Sequence, residues 1–249
     1  MKNIGKLSFY RKLLSIRKLI MKITLILLPG LNGTTGLFAP LLKCVDGTFE
    51  IIPISFPTQE KLSYQELTTF VLEKIKSVQG DYIVLGESFS GPLALFVSEK
   101  KPDGLLGVVL VSTFISAPNF RIGRYLPWTL GFLLVRPLYR IRMIFSKKEN
   151  RYIVAMMSVE LKKASPDVLA FRIQEVFSVD ATESLRNCNV PVVYFRGLRD
   201  IVVPKKNLRK ILSVKPDVNV VEFKAPHFLL QTEPEQVFSE IKRFAEKCR

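Results

Sequence analysis

Six short apolar runs, at residues 23–28, 49–54, 81–85, 107–112, 191–196 and 218–224, alternate along this chain with segments of helical periodicity at 63–78, 90–101, 205–213 and 233–247. That order constrains the fold more than any other feature. Strands joined by helix-length crossovers pair in parallel, and a parallel sheet has both of its faces covered by helices. The first run, Ile-Thr-Leu-Ile-Leu-Leu, is apolar almost throughout rather than alternating, as a strand buried on both sides must be. In 63–78, Leu67, Val71, Leu72 and Ile75 mark one helical face. The expected class is therefore α/β, a mostly parallel sheet with helices on both faces. The 249 residues suit one such domain rather than two, assigned to residues 23–247. Between Ser112 and Pro191 lie 78 residues, more than one crossover helix needs, so an insertion over about 113–180 is expected to form a short helical cap above the strand ends.

Composition removes several classes of function. Apolar residues at 48% and charged residues at 24% exclude a disordered chain. No uninterrupted apolar run approaches the roughly 18 residues of a membrane span. Cys44, Cys188 and Cys248 are odd in number and widely spaced, which suggests neither a disulfide framework nor a metal cluster and fits a reducing, cytoplasmic compartment. The net charge of +15 is concentrated in two places. Residues 1–22 carry seven basic residues and no acid, and residues 119–151 carry eight against Glu149 alone. The remaining body is nearly neutral, which argues against a nucleic-acid surface and for local attraction of an anionic partner, with plain solvated faces as the alternative. Residues 1–22 place Phe9, Leu13, Ile16 and Ile20 on one helical face with Arg11, Lys18 and Lys22 opposite. This reads either as an extension outside the fold or as a peripheral membrane attachment; it lacks the features of a secretory signal.

The chemistry-bearing residues stand where the strands end. Gly86-Glu87-Ser88-Phe89-Ser90-Gly91 joins the strand at 81–85 to the helix at 90–101, the context of a G-x-S-x-G turn, with Ser90 in place of the second glycine. Such a turn raises Ser88 into a cleft. A serine hydroxyl is a weak nucleophile without a base, and the chain has a single histidine, His227, following the strand at 218–224. Asp200 lies just beyond the strand at 191–196, so the order is serine, aspartate, histidine; Asp180 is the less favoured acid. Leu28-Pro29-Gly30-Leu31-Asn32-Gly33-Thr34 leaves the first strand beside the expected turn, so the N–H groups of Leu31 and Phe89 are candidate oxyanion donors. Glycines 30, 33 and 36 do not form a dinucleotide fingerprint, and no cofactor is expected.

Taken together, Pro-Gly-Leu-Asn-Gly, Gly-Glu-Ser-Phe-Ser-Gly, Gly-Leu-Arg-Asp-Ile-Val-Val-Pro and Ala-Pro-His-Phe-Leu-Leu-Gln resemble the α/β-hydrolase superfamily over nearly all of 23–247. The size and short cap look like those of the small capped serine carboxylesterases, with a looser likeness to esterases acting on pimeloyl groups carried by acyl carrier protein. The resemblance implies Ser88 as nucleophile, His227 as base, Asp200 as acid, and Leu31 and Phe89 as the oxyanion hole. The expected activity is hydrolysis of a small-molecule carboxylic ester or thioester through an acyl-enzyme on Ser88. An acyltransferase using the same three residues, or a non-catalytic carrier- or membrane-binding protein on this fold, are the alternatives. The apolar stretch 125–135, with Trp128, suits an acyl chain, and Arg136, Arg140 and Arg142 beside it suit an anionic acyl carrier protein or membrane surface; the same stretch also suits ordinary helix packing.

Overall fold

The computed structural model describes residues 22–117 and 148–249, with side chains from 151 onward in the second stretch. Its sheet has six strands: β1 Ile23–Leu28, β2 Phe49–Pro53, β3 Tyr82–Glu87, β4 Leu105–Val111, β5 Val192–Gly197 and β6 Asn219–Phe223. They lie in the order β2-β1-β3-β4-β5-β6, and every pairing is parallel. The α/β expectation holds. Helices described in the chain are α1 Ala39–Leu42, α2 Tyr64–Ile75, α3 Ser90–Glu99, α4 Lys148–Leu161, α5 Pro166–Val176, α6 Thr182–Arg186, α7 Lys205–Val214, α8 Leu229–Thr232 and α9 Pro234–Cys248.

The pleat divides the apolar strand residues between two cores. Ile26 and Leu28 of β1, Val84 of β3 and Val108 and Leu110 of β4 face α2, α3, α6 and α7. Their neighbours Leu25, Leu27, Ile83, Leu85, Val109 and Val111 face α1, α8 and α9. This period of two, with both sets buried, is why the strand sequences are apolar without alternation. Ser63 starts α2 with a capping box: its side chain accepts from the Glu66 N–H, and the Glu66 carboxylate accepts from the Ser63 N–H.

Some element ends differ from the sequence expectation. β3 runs on to Glu87 rather than stopping at Leu85, because Gly86 and Glu87 pair with Leu110 and Val111 of β4. The strand therefore delivers Ser88 directly. The helix expected over 63–78 ends at Ile75, where the Val78 N–H turns back onto the Ile75 carbonyl. The insertion supplies α4 and α5; residues 118–147 between β4 and α4 lie outside the described region. Among the described residues no helix is long and apolar enough to cross a membrane.

Strand order also places the site. From β1 the chain moves outward to β2 through α1 on one face, whereas β3 leads to β4 through α3 on the other. The loops leaving β1 and β3 diverge, opening a crevice at the carboxyl ends of the strands. The β3–α3 turn is tight. A Cβ at Gly86 would press into the backbone carbonyl of Ser90, which cannot swing aside as a side chain can. Gly86→Ala should destabilise the fold by about 1–3 kcal/mol, as overpacking does in well-filled cores. A lowered urea midpoint with an unchanged slope is the expected reading.

Candidate active site

Ser88 is the one residue between Tyr82 and Ser90 that is not buried, and its φ of 50° puts it in the left-handed region. A non-glycine residue held there costs of order 1–3 kcal/mol, which the surroundings must supply. The Ser88 N–H donates to the Val111 carbonyl at 2.9 Å, and the Ser88 carbonyl accepts from the Thr113 hydroxyl and from the Gly91 N–H. Behind the turn, the Tyr64 ring stacks on Phe89 at 4.7 Å, and its hydroxyl donates to the Phe89 carbonyl at 2.8 Å. Ser90 is fully buried, and its hydroxyl donates to the Pro29 carbonyl. The serine standing where the motif usually has glycine therefore ties the β3 turn to the β1 loop.

His227 and Asp200 are brought together by two loops in close contact. The N–H groups of Leu198 and Arg199 donate to the carbonyls of Phe223 and Ala225, and a Cβ on Gly197 would collide with the Ala225 and Pro226 carbonyls. Across this contact His227 Nδ1 lies 2.8 Å from Asp200 Oδ2, and His227 Nε2 lies 3.0 Å from Ser88 Oγ. An ionised carboxylate only accepts, so Nδ1 carries the hydrogen and Nε2 is left to accept from the Ser88 hydroxyl. Asp200 is only 8% exposed, and its other oxygen accepts from the Val202 and Val203 N–H groups at 2.8 and 2.9 Å. Burial alone would raise the Asp200 carboxyl. The His227 hydrogen bond and charge, with the two backbone donors, outweigh it and hold the group below the ordinary aspartate value.

The three residues expected from the sequence thus converge in space. Asp180 does not join them; its carboxylate accepts from the Thr182 N–H and hydroxyl. Two cavities open on Ser88. One of about 220 Å³ also touches Asn32, Leu37, Met157 of α4 and Phe228; the other, about 420 Å³, also touches Phe89, Phe114, and Ile173 and Val176 of α5. Leu31 and Val202 line both. Leu31 and Phe89, the expected oxyanion pair, therefore border the same space as the serine hydroxyl. Trp128, Arg136, Arg140 and Arg142 lie outside the described residues.

Several residues at the site carried no sequence assignment. Glu87, adjacent to the serine, is buried; burial pushes its carboxyl up against the opposing effects of the Gln231 hydrogen bond and His227. Gln231 Nε2 donates to Glu87 Oε1 at 3.0 Å and to the Leu37 carbonyl at 3.1 Å. Gln231 lies on α8, which begins two residues after His227, and no local pattern marked it. Thr113 had none either, because only the β3–β4 pairing brings it under Ser88.

No protein-family model and no curated protein sequence matches this chain. Solved structures do resemble it. A hydrolase from Pseudomonas aeruginosa PA01 superposes with a TM-score of 0.77 at 15% identity, over 90% of each chain. A structure from work on carboxylesterases of Nitrososphaera gargenis gives 0.76 at 11% identity over 91% of each chain. An enol-lactonase from Burkholderia xenovorans LB400 gives 0.73 at 14% identity, over 91% of this chain and 92% of that one. The chain has the α/β-hydrolase fold.

Proposed function

We propose that this protein is a cofactor-independent serine hydrolase of carboxylic esters or thioesters. The observation that carries the reading is the continuous relay from Ser88 Oγ through the His227 ring to Asp200, opening onto two cavities. Ser88 attacks the acyl carbon while His227 Nε2 takes its proton; the imidazolium, steadied by Asp200, then protonates the leaving group. Water, activated by the same histidine, releases the acyl group. The N–H groups of Leu31 and Phe89 are assigned to the tetrahedral oxyanion. The carboxylesterase and enol-lactonase among the structural neighbours support acyl chemistry on this fold. Two cavities meeting at the serine suit a substrate with an acyl part and a leaving part. A panel of nitrophenyl esters and acyl thioesters tests the reading: turnover with a burst of released leaving group supports it, and no turnover or acyl-enzyme with any member removes it.

The basic segments 1–22 and 119–151 support an acyl group delivered on an anionic carrier protein or membrane surface. Exposed charges act mainly on encounter rate and are screened over about 8–10 Å at physiological ionic strength. Raising salt should then lower kcat/KM for an acyl-carrier-protein substrate far more than for a neutral short-chain nitrophenyl ester. Equal sensitivity of the two substrates would remove the carrier from the reading.

A further inference from the structure

The loop leaving β1 carries the Leu31 N–H, and part of its shape is fixed from within. Gly30 to Gly33 close a turn through the Gly33 N–H on the Gly30 carbonyl at 2.9 Å. The central peptide of such a turn joins the Leu31 carbonyl to the Asn32 N–H and has two orientations that preserve this closing bond, each placing Leu31 and its own N–H, on the preceding peptide, under a different restraint. One long-range contact selects between them. Arg172 of α5 reaches in with Nη1 donating to the Leu31 carbonyl at 3.0 Å and Nη2 donating to the Pro57 carbonyl at 2.8 Å. Its guanidinium lies over the Phe56 ring at 5.7 Å, and the residue is 2% exposed.

No carboxylate pairs with this cation among the described residues, and burial lowers its pKa to about 10. Arginine is almost never buried this deeply without an acid partner. Here its charge is spent on two backbone carbonyls. The loop accommodates it closely: at Gly33, φ 72°, a Cβ would sit inside the guanidinium.

A second helix grips the far side of the same loop with the opposite charge. Glu160 of α4, 6% exposed, accepts from the Thr34 hydroxyl at 2.5 Å and from the Gly36 N–H. Thr34 in turn accepts from the Asn32 amide at both its hydroxyl and its carbonyl. Packing alone calls for apolar side chains at such positions. Two buried charges of opposite sign, not paired with each other and with Glu160 balanced by Lys163 at 2.6 Å, are each aimed at polar groups of one loop and fix where its peptides point.

We propose that Arg172, with Glu160 opposing it, is a positioning residue that holds the 31–36 loop in the conformation in which the Leu31 N–H faces the oxyanion. This rests on the serine-hydrolase reading. Arg172 touches no reacting atom; by pinning the Leu31 carbonyl and the Pro57 carbonyl it holds the Leu31 Cα in place, and with it the Gly30–Leu31 peptide that carries the N–H. Misplacing one oxyanion donor costs about 10²–10³ in kcat.

The test uses the full chain with Arg172→Met and Arg172→Lys. In Arg172→Met, kcat for a nitrophenyl ester should fall about 10²-fold with KM within about threefold, because the donor acts in the transition state rather than on bound substrate. Affinity for a trifluoromethyl ketone, which forms the tetrahedral oxyanion on the serine, should fall in parallel with kcat/KM, and Arg172→Lys should recover part of both. Thr34→Val, which breaks the Glu160 side of the clasp while keeping the side-chain volume, should show a smaller loss with the same split, and it carries the test if Arg172→Met does not fold. The amide resonances of residues 31–34 should shift or broaden in the variants whether or not any substrate turns over. Absence of turnover in the wild type would overturn the hydrolase reading while leaving the clasp to be judged by those amides. Unchanged kcat and ketone affinity in a folded Arg172→Met, or unmoved amides at 31–34, would overturn the clasp.

Discussion

Ser88→Ala should lower kcat by about 10⁶, because removing the nucleophile of such a unit leaves only binding and oxyanion stabilisation. The effect should be confined to chemistry. Ser88 projects from a turn whose backbone is held by Val111, Thr113 and Gly91, none of which contacts its hydroxyl through these bonds. The left-handed φ of 50° persists with an alanine, so the variant should unfold close to the wild-type midpoint. Ser90→Ala is the informative contrast. The Ser90 hydroxyl is buried and bonded to the Pro29 carbonyl, with no path to substrate. Its removal leaves that carbonyl short of a donor, at a cost of about 1–3 kcal/mol in stability, while the acyl-enzyme on Ser88 still forms. Stability and activity should separate cleanly between these neighbouring serines. A Ser90→Ala enzyme as inactive as Ser88→Ala, at normal stability, would contradict the assignment.

The second large effect is expected at Asp200, where Asp200→Asn should cost about 10⁴ in kcat. An asparagine can still accept from the Val202 and Val203 N–H groups, so the loop keeps its shape. Its amide then faces His227 Nδ1 as a donor. That forces the hydrogen onto Nε2, which points at Ser88 and can no longer accept its proton. The same substitution tests the electrostatics through pH. Because the native Asp200 carboxyl is held below its ordinary value, the unfolded chain binds a proton there more readily than the folded one. Its stabilising contribution is complete above the ordinary aspartate pKa of about 3.9 and is lost as pH falls below that through the lower native value. Urea unfolding at pH 6 and pH 3 should therefore show a larger loss for wild type than for Asp200→Asn. Equal losses would mean that the carboxylate gains nothing from its partners.

The sheet was legible because its strands are buried on both faces and so read as apolar runs, and because intervening helices allow only parallel pairing. Strand ends were less so. Gly86 and Glu87 have neither the shape nor the polarity of strand residues, and only pairing with Leu110 and Val111 keeps them in β3. The three catalytic candidates were readable one at a time, since each follows the carboxyl end of a strand, where this topology gathers its loops. Their supports were not. Thr113 reaches Ser88 across 25 residues, Glu160 reaches Thr34 across 126, and Arg172 reaches Leu31 across 141, so no local pattern joins them. An arginine in the middle of α5 reads as a solvated residue. Its burial becomes visible only once α5 is packed against the loop leaving β1.

The most direct measurement of the central claim is the mass of the intact protein after brief exposure to an active-site-directed fluorophosphonate, followed by peptide mapping. One adduct per chain on the peptide containing Ser88 is expected, absent in Ser88→Ala, retained in Ser90→Ala and slowed in Asp200→Asn. No adduct on the folded wild-type protein, or an adduct that persists in Ser88→Ala, would contradict a serine nucleophile at the β3–α3 turn.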